Sequence, residues 1–266
     1  MNISRVRLKK SIKSLYGLNL LEGEGVGTAY EYFTKLRKLE KFLNSIERPK
    51  NILVAGLPEK YGLSMDFFLM ADTLRAQIVV VDDRDDRLQR AREVFTLAKS
   101  QGYFANCKAT FSSVNSIAKI DNSNFLSGEF DLALSSEVLQ RLEGSQHSYI
   151  SRLKSLAKYI ALFVPNNGNE SHADLSGLNS VSLKELLRFC QNTSQQLAIY
   201  DYGYVDAPPF PPGLSRSQDK RQQAAQSSFE GFLMKGLEVY SRCENILPNF
   251  IMKKNAHIVY VMAGTE

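Results

Sequence analysis

Apolar positions along the chain change their period near residue 49. From Thr28 to Glu47 they recur at Tyr32, Leu36, Leu39, Leu43 and Ile46, spacings of three and four that put them on one helical face. The pattern predicts an amphipathic helix with Thr28 as its cap and Pro49 just past its end. Beyond Pro49 come short aliphatic runs, NILVAG (51–56), QIVVVDD (77–83), FDLALSS (130–136) and YIALFVPN (159–166). Unbroken runs of this length predict strands covered on both faces. A weaker strand is expected at NCKATFSS (106–113), and helical patterns fill 63–74 and 84–100. Strands alternating with helices predict a parallel sheet with helices on both faces, because parallel neighbours need crossover connections.

The last third departs from this alternation. A helix is expected over 182–191, a strand over 197–205, and a final strand at AHIVYVMAG (256–264), the last two pairing antiparallel. The expected fold is therefore α/β, a doubly wound, mostly parallel seven-stranded sheet with an antiparallel last strand. Four of the chain's eight prolines fall in DAPPFPPG (206–213), where proline's missing donor excludes a central strand. That stiff stem, the polar stretch 215–228 and a helix over 229–243 form an excursion, 206–253, whose residues 206–228 are expected to wall or lid the site. The division read from the pattern is an N-terminal helical extension, 1–48, and an α/β domain, 49–266.

Composition narrows the class. Of 266 residues 44% are hydrophobic and 23% charged, which excludes collagenous, low-complexity and wholly disordered chains. Thirty-three Lys and Arg against 28 Asp and Glu leave a net +5, enough to tolerate an anionic partner without demanding one, so nucleic acid is the less favoured partner. No apolar run approaches the roughly 20 residues that cross a bilayer. Cys107, Cys190 and Cys243 stand apart with no CxxC spacing, and His147, His172 and His257 are scattered, so neither a disulfide framework nor a metal site is expected. A reducing cytoplasm suits them. Residues 1–21 are basic and free of acid, as in a transit peptide; the plainer reading is a basic surface helix.

In an open α/β sheet the ligand lies outside the carboxyl ends of the strands. Gly56, ending the first strand, allows a tight turn and close approach of a ligand, or merely opens a loop. Asp82, ending the second, can accept hydrogen bonds from a ribose diol; Asp83 better suits a cap for the helix starting at Arg84. Tyr200, Tyr202 and Tyr204 alternate and are expected on one face, as an aromatic substrate surface or as packing. His172 is read as a general base or an exposed loop histidine, and Cys107 as a packed thiol.

The order ILVAG, IVVVDD, FDLALSSEVLQRLEG (130–144), YIALFVPN and GLNSVSLKELLRF (177–189) resembles class I S-adenosylmethionine-dependent methyltransferases over roughly residues 49–205. The resemblance implies S-adenosylmethionine as cofactor, with Ala55, Gly56 and Leu57 beside its methionine part and Asp82 on the ribose. It also puts Asp83 and Ser113 near the adenine, and Ser135 and Ser136 at the cofactor's edge. Two departures stand out. The first loop reads Gly56-Leu57-Pro58-Glu59-Lys60-Tyr61-Gly62 where the family usually has GxGxG, and Arg141 stands where a histidine is often found. DAPPF follows the wrong strand to be the Asp-Pro-Pro-aromatic motif of amine-directed members. The implied activity is methyl transfer to an unidentified, small-molecule acceptor, with no catalytic residue assigned. Alternatives are a methyltransferase-like binding or scaffold protein without catalysis, or a nicotinamide-dependent oxidoreductase, which the absent GxGxxG disfavours.

Overall fold

The computed structural model describes residues 5–8, 11–121, 125–191, 197–209, 228–244 and 246–264. The strands are β1 (Asn51–Ala55), β2 (Gln77–Asp82), β3 (Lys108–Ser113), β4 (Phe130–Ser136), β5 (Ala157–Pro165), β6 (Ala198–Val205) and β7 (Ile258–Gly264). They form one sheet in the order β3-β2-β1-β4-β5-β7-β6. Pairings from β3 through to β5 are parallel, and β7 runs antiparallel to both β5 and β6. The order reverses between β1 and β4, which places the expected ligand crevice at their carboxyl ends.

The aliphatic runs form central strands because both faces are covered. Ile52, Val54, Ile78, Val80, Leu132 and Leu134 enter one apolar cluster. Leu53, Ala55, Val81, Ala133, Ile160 and Leu162 enter the other. The first cluster is completed by α1 (Ile12–Glu22), α2 (Val26–Leu43), α3 (Met65–Leu74), α4 (Asp85–Ser100) and α8 (Ser228–Glu244); the second by α5 (Gln146–Leu156) and α7 (Leu183–Gln191). Two short helices, α6 (Glu170–Ser176) and α9 (Asn249–Asn255), flank the strand ends.

Several expectations are corrected. The basic N-terminal helix is not a surface helix: Ile12, Leu15 and Leu18 of α1 are fully buried while Arg5, Arg7 and Lys13 point outward. Helix α2 begins at Val26, after Gly25, rather than at Thr28, and it ends at Leu43. Asp83 does not cap α4, whose first residue is Asp85 and whose cap position, Arg84, bonds no backbone N–H with its side chain. Nor do the three tyrosines share a face. The β6–β7 register skips Tyr200, a bulge between Ile199 and Asp201, and an extra residue turns the following side chains over. Tyr200 meets Phe42 and Tyr159 edge-on, on the α2 side, whereas Tyr204 packs with the α5–α7 cluster. The expected lid, 206–228, falls mostly outside the described residues, which resume at Ser228.

Candidate functional site

At the end of β1, Gly56 has φ +87° and donates its N–H to the Val81 carbonyl at 2.8 Å. A side chain here would be strained, and its Cβ would lie 2.8 Å from Val138 and 3.2 Å from Ile117. Close approach does demand the glycine, but what approaches is the chain itself. Leu57 is buried and donates its N–H to Asp82 Oδ2 at 2.7 Å. The loop's carbonyls turn toward α4: Leu57 O accepts from Arg84 Nη2 at 2.7 Å and Pro58 O from Arg87 Nη2 at 2.8 Å.

Asp82 is fully buried and its carboxylate is saturated. Besides Leu57, it accepts from Arg84 N (2.9 Å), Arg84 Nε (2.8 Å), Arg84 Nη2 (2.9 Å) and Arg141 Nη2 (3.2 Å). A carboxylate offers about four lone-pair sites, so none is left for a ribose. Asp83 accepts from Ile117 N and Arg141 Nη1, both at 3.0 Å. Burial opposes its ionisation, but those two donors hold its carboxyl below the usual range. Ser113 lies opposite Asp82 in the β2–β3 register and is exposed. Ser135 is buried and its hydroxyl donates to Tyr149 Oη at 2.8 Å, whose own proton goes to the carbonyl of Ala55. Ser136 accepts from Lys35 Nζ at 3.1 Å. Asp121, the first carboxylate after β3, only caps its own turn through Asn115 N and Ser116 N.

The same sheet edge carries a second constellation that sequence reasoning missed. Helix α2 lays Lys35 across the ends of β4 and α3, its Nζ 2.8 Å from Glu31, 3.3 Å from Asp66 and 5.0 Å from the Tyr32 ring centre. Burial opposes its charge, yet Asp66 and Glu31 more than offset this and raise its pKa. After β4, Glu137 is 6% exposed with φ +54°, its N–H held by the Phe163 carbonyl at 2.9 Å. Burial first, then the nearby Glu31 carboxylate, push its pKa far up. After β6, Asp206 is 4% exposed with φ +66°, and its Oδ2 meets His257 Nδ1 at 2.9 Å. His172 lies in α6 rather than a loop, stacked on His257 at 4.1 Å; burial, then that ring, lower its pKa to about 4. It is neutral at pH 7, and a pKa so far below neutrality makes it a weak proton acceptor there. Cys107 is the packed thiol expected, burial pushing its pKa to about 12.

Among the described residues no helix is long and apolar enough to cross a membrane, and no three His, Cys, Asp or Glu side chains could hold a metal. No protein-family model matches the chain, and no curated protein does. Solved structures do. The protein solved in complex with the Haloferax volcanii Trm112 methyltransferase activator is similar at TM-score 0.53 and 11% identity, over 96% of this chain and 98% of that one. An S-adenosylmethionine-dependent methyltransferase from Thermotoga maritima is similar at 0.50 and 8%, over 95% and 100%. Geranyl diphosphate C-methyltransferase from Streptomyces coelicolor, solved with Mg2+, geranyl-S-thiolodiphosphate and S-adenosylhomocysteine, is similar at 0.50 and 11%, over 87% and 75%. The chain has the class I methyltransferase fold, with the strand order and antiparallel β7 that its sequence led one to expect.

Proposed function

We propose that this chain binds S-adenosylmethionine and takes part in methyl transfer to a small-molecule acceptor. The observation that carries this reading is the placement of an acidic side chain, Asp82, at the end of β2 beside a left-handed glycine, Gly56, at the end of β1, next to the switch in strand order. The residues fit the cofactor in kind. Cofactor binding there would require Arg84 and Arg141, whose side chains are 25% and 16% exposed, to turn away from Asp82. Asp82 would then hold the ribose, Asp83 the adenine side, and the Gly56–Leu57 turn the methionine part. S-adenosylmethionine supplies a methyl group already activated by its sulfonium charge; the protein's share is to align the two partners and keep water out.

The two arginines also favour a second reading, a methyltransferase-fold binding protein in which they replace the cofactor for good. Calorimetric titration with S-adenosylhomocysteine separates the two, using wild type and Arg84→Ala. Removing the Arg84 side chain takes one donor from each Asp82 oxygen, leaving Arg84 N on Oδ1 and Leu57 N and Arg141 Nη2 on Oδ2, so the variant is expected to bind about tenfold more tightly. Absence of binding by both proteins at millimolar ligand rejects the methyl-transfer reading and leaves the binding protein.

A further inference from the structure

Past the ends of β5 and β6 the chain holds a histidine–aspartate pair outside the Asp82 site. Asp206, the first residue after β6, and His257, the last before β7, are joined twice: His257 N donates to the Asp206 carbonyl at 2.7 Å, and His257 Nδ1 meets Asp206 Oδ2 at 2.9 Å. Both members are anchored. Asp206 is buried with φ +66°, a conformation that a residue other than glycine keeps only where its surroundings hold it, and its N–H is held by Glu244 Oε1 of α8 at 3.1 Å. The His257 carbonyl accepts from Asn166 N, just after β5, at 2.8 Å, and its ring lies 4.1 Å from that of His172, 12° from parallel.

An ionised carboxylate only accepts, so Nδ1 carries the ring's proton and Nε2 keeps the lone pair. Among the described residues nothing bonds Nε2, and it is open to solvent on a side chain only 14% exposed. Burial lowers the pKa of His257, but Asp206, then Glu31 of α2 and Glu244 of α8, raise it further, while His172 of α6, neutral at pH 7, adds no charge. The result is a base stronger than free imidazole, fixed in one tautomer with its acceptor outward. One strand, β5, separates β7 from β4, so the pair stands about 10 Å from the strand at the fold's switch point, two strand spacings and the span of one small molecule. What such a nitrogen can take is the proton of a weakly acidic hydroxyl. A phenol, with a pKa of about 10, lies within a few units of imidazole, whereas an aliphatic alcohol is far too weak an acid.

We propose that His257, oriented by Asp206, is a general base that receives the hydroxyl proton of a phenolic ligand bound past the ends of β5 and β6. Only in calling that phenol the methyl acceptor does this rest on the methyl-transfer reading. In that reaction a hydroxyl lone pair forms the O–CH3 bond, the C–S bond breaks with its electron pair left on sulfur, and the hydroxyl proton passes to Nε2, where Asp206 stabilises the imidazolium. The probes are p-nitrophenol, whose anion absorbs visible light, and p-nitroanisole, which lacks the hydroxyl, titrated into the cofactor-free full chain by calorimetry and absorbance. Nitrophenol is expected to bind at least about tenfold more tightly than nitroanisole. Once bound it is expected to ionise at least about one pH unit below the free compound, because the imidazolium beside it favours the anion. His257→Gln is expected to abolish that shift and Asp206→Asn to reduce it. Circular dichroism checks that the variants fold; should they fail to, nitrogen-15 NMR of wild type decides, since one imidazole must become imidazolium as nitrophenol saturates the chain in mildly alkaline solution. Equal binding of nitroanisole, no saturation by about 10 mM nitrophenol, an unshifted ionisation, or a folded His257→Gln that keeps the shift would overturn the proposal. Nitrophenol binding with the shift but without S-adenosylhomocysteine binding keeps the base and removes methyl transfer; the converse removes the base alone.

Discussion

The carboxylate of Asp82 accepts from two backbone N–H groups and two guanidinium groups at once. It therefore joins the first loop, the start of α4 and the turn after β4, three segments that no other single residue in the site connects. A carboxylate placed only to meet a ribose would sit at a hydrated rim and could be removed with little effect on folding. Asp82 is instead fully buried, so Asp82→Ala strands Leu57 N and Arg84 N and takes a carboxylate from two arginines, leaving Arg141 on Asp83 and Arg84 on the Leu57 carbonyl. Breaking a buried pair costs about 3–5 kcal/mol, and because both arginines keep another acceptor, a loss near the lower end, about 3 kcal/mol, is expected. Urea denaturation reads it directly; a midpoint equal to wild type would contradict the linking role. Asp83→Ala removes partners from Ile117 N and one arm of Arg141 alone, and a smaller loss, about 1–2 kcal/mol, is expected on the same measurement.

Among the elements, α1, α2 and the loop leading into α3 are joined through Glu22. Its Oε2 accepts from the Tyr32 hydroxyl at 2.7 Å and from Leu63 N at 2.6 Å, and its Oε1 from Asn19 Nδ2 at 3.2 Å. Burial, opposed by the Tyr32 and Leu63 donors, pushes its pKa from 4.5 to about 8. Because the folded form holds a proton that the unfolded chain has released, stability falls as pH rises from about 4.5 to about 8 and is flat for this group above that. Glu31, raised by burial to about 7, acts in the same direction. His172, at about 4 when folded, acts oppositely: its contribution is lost as pH falls from about 6.5 toward 4. A maximum in weakly acidic solution follows for these three groups together. Glu22→Gln keeps one oxygen for Tyr32 and Leu63, while its NH2 can meet the otherwise unpartnered Asn19 Oδ1 after an amide flip. The variant is expected to match wild type near pH 5 and exceed it at pH 9, with the gap growing by at most about 1.4 kcal/mol per pH unit between. Thermal melts across that range test it, and a constant gap would show that Glu22 ionises normally.

At the scale of the whole molecule, what could be read from the sequence follows from how local each signal is. The runs ILVA, IVVVD, FDLALSS and YIALFVP announce buried strands because a strand covered on both faces needs nothing but aliphatic side chains in a row. The rule that ligands gather at carboxyl ends then found Asp82. It could not find Arg84 and Arg141 upon it, although an arginine two residues past the aspartate was a usable signal. Nor could it find Lys35, which meets Asp66 and Ser136 only when α2, α3 and β4 are assembled. Tyr200 was misplaced because a single extra residue against β7 leaves no mark on the sequence pattern. The N-terminal helix was misread because its basic residues are the outward ones. That last point bears on the division at residue 48, which remains a proposal to be tested by removing residues 1–25. Ile12, Leu15 and Leu18 are fully buried in the same apolar cluster as the sheet, Ile12 N is held by Glu238 of α8 at 2.8 Å, and Leu8 N by Glu40 of α2 at 2.6 Å. Burying three such side chains contributes about 5–9 kcal/mol, comparable to the about 5–15 kcal/mol by which a whole domain is stable. The truncated chain is therefore expected to lose its cooperative melt by calorimetry. If it melts within a few degrees of the full chain, α1 is an extension that the α/β domain does not need.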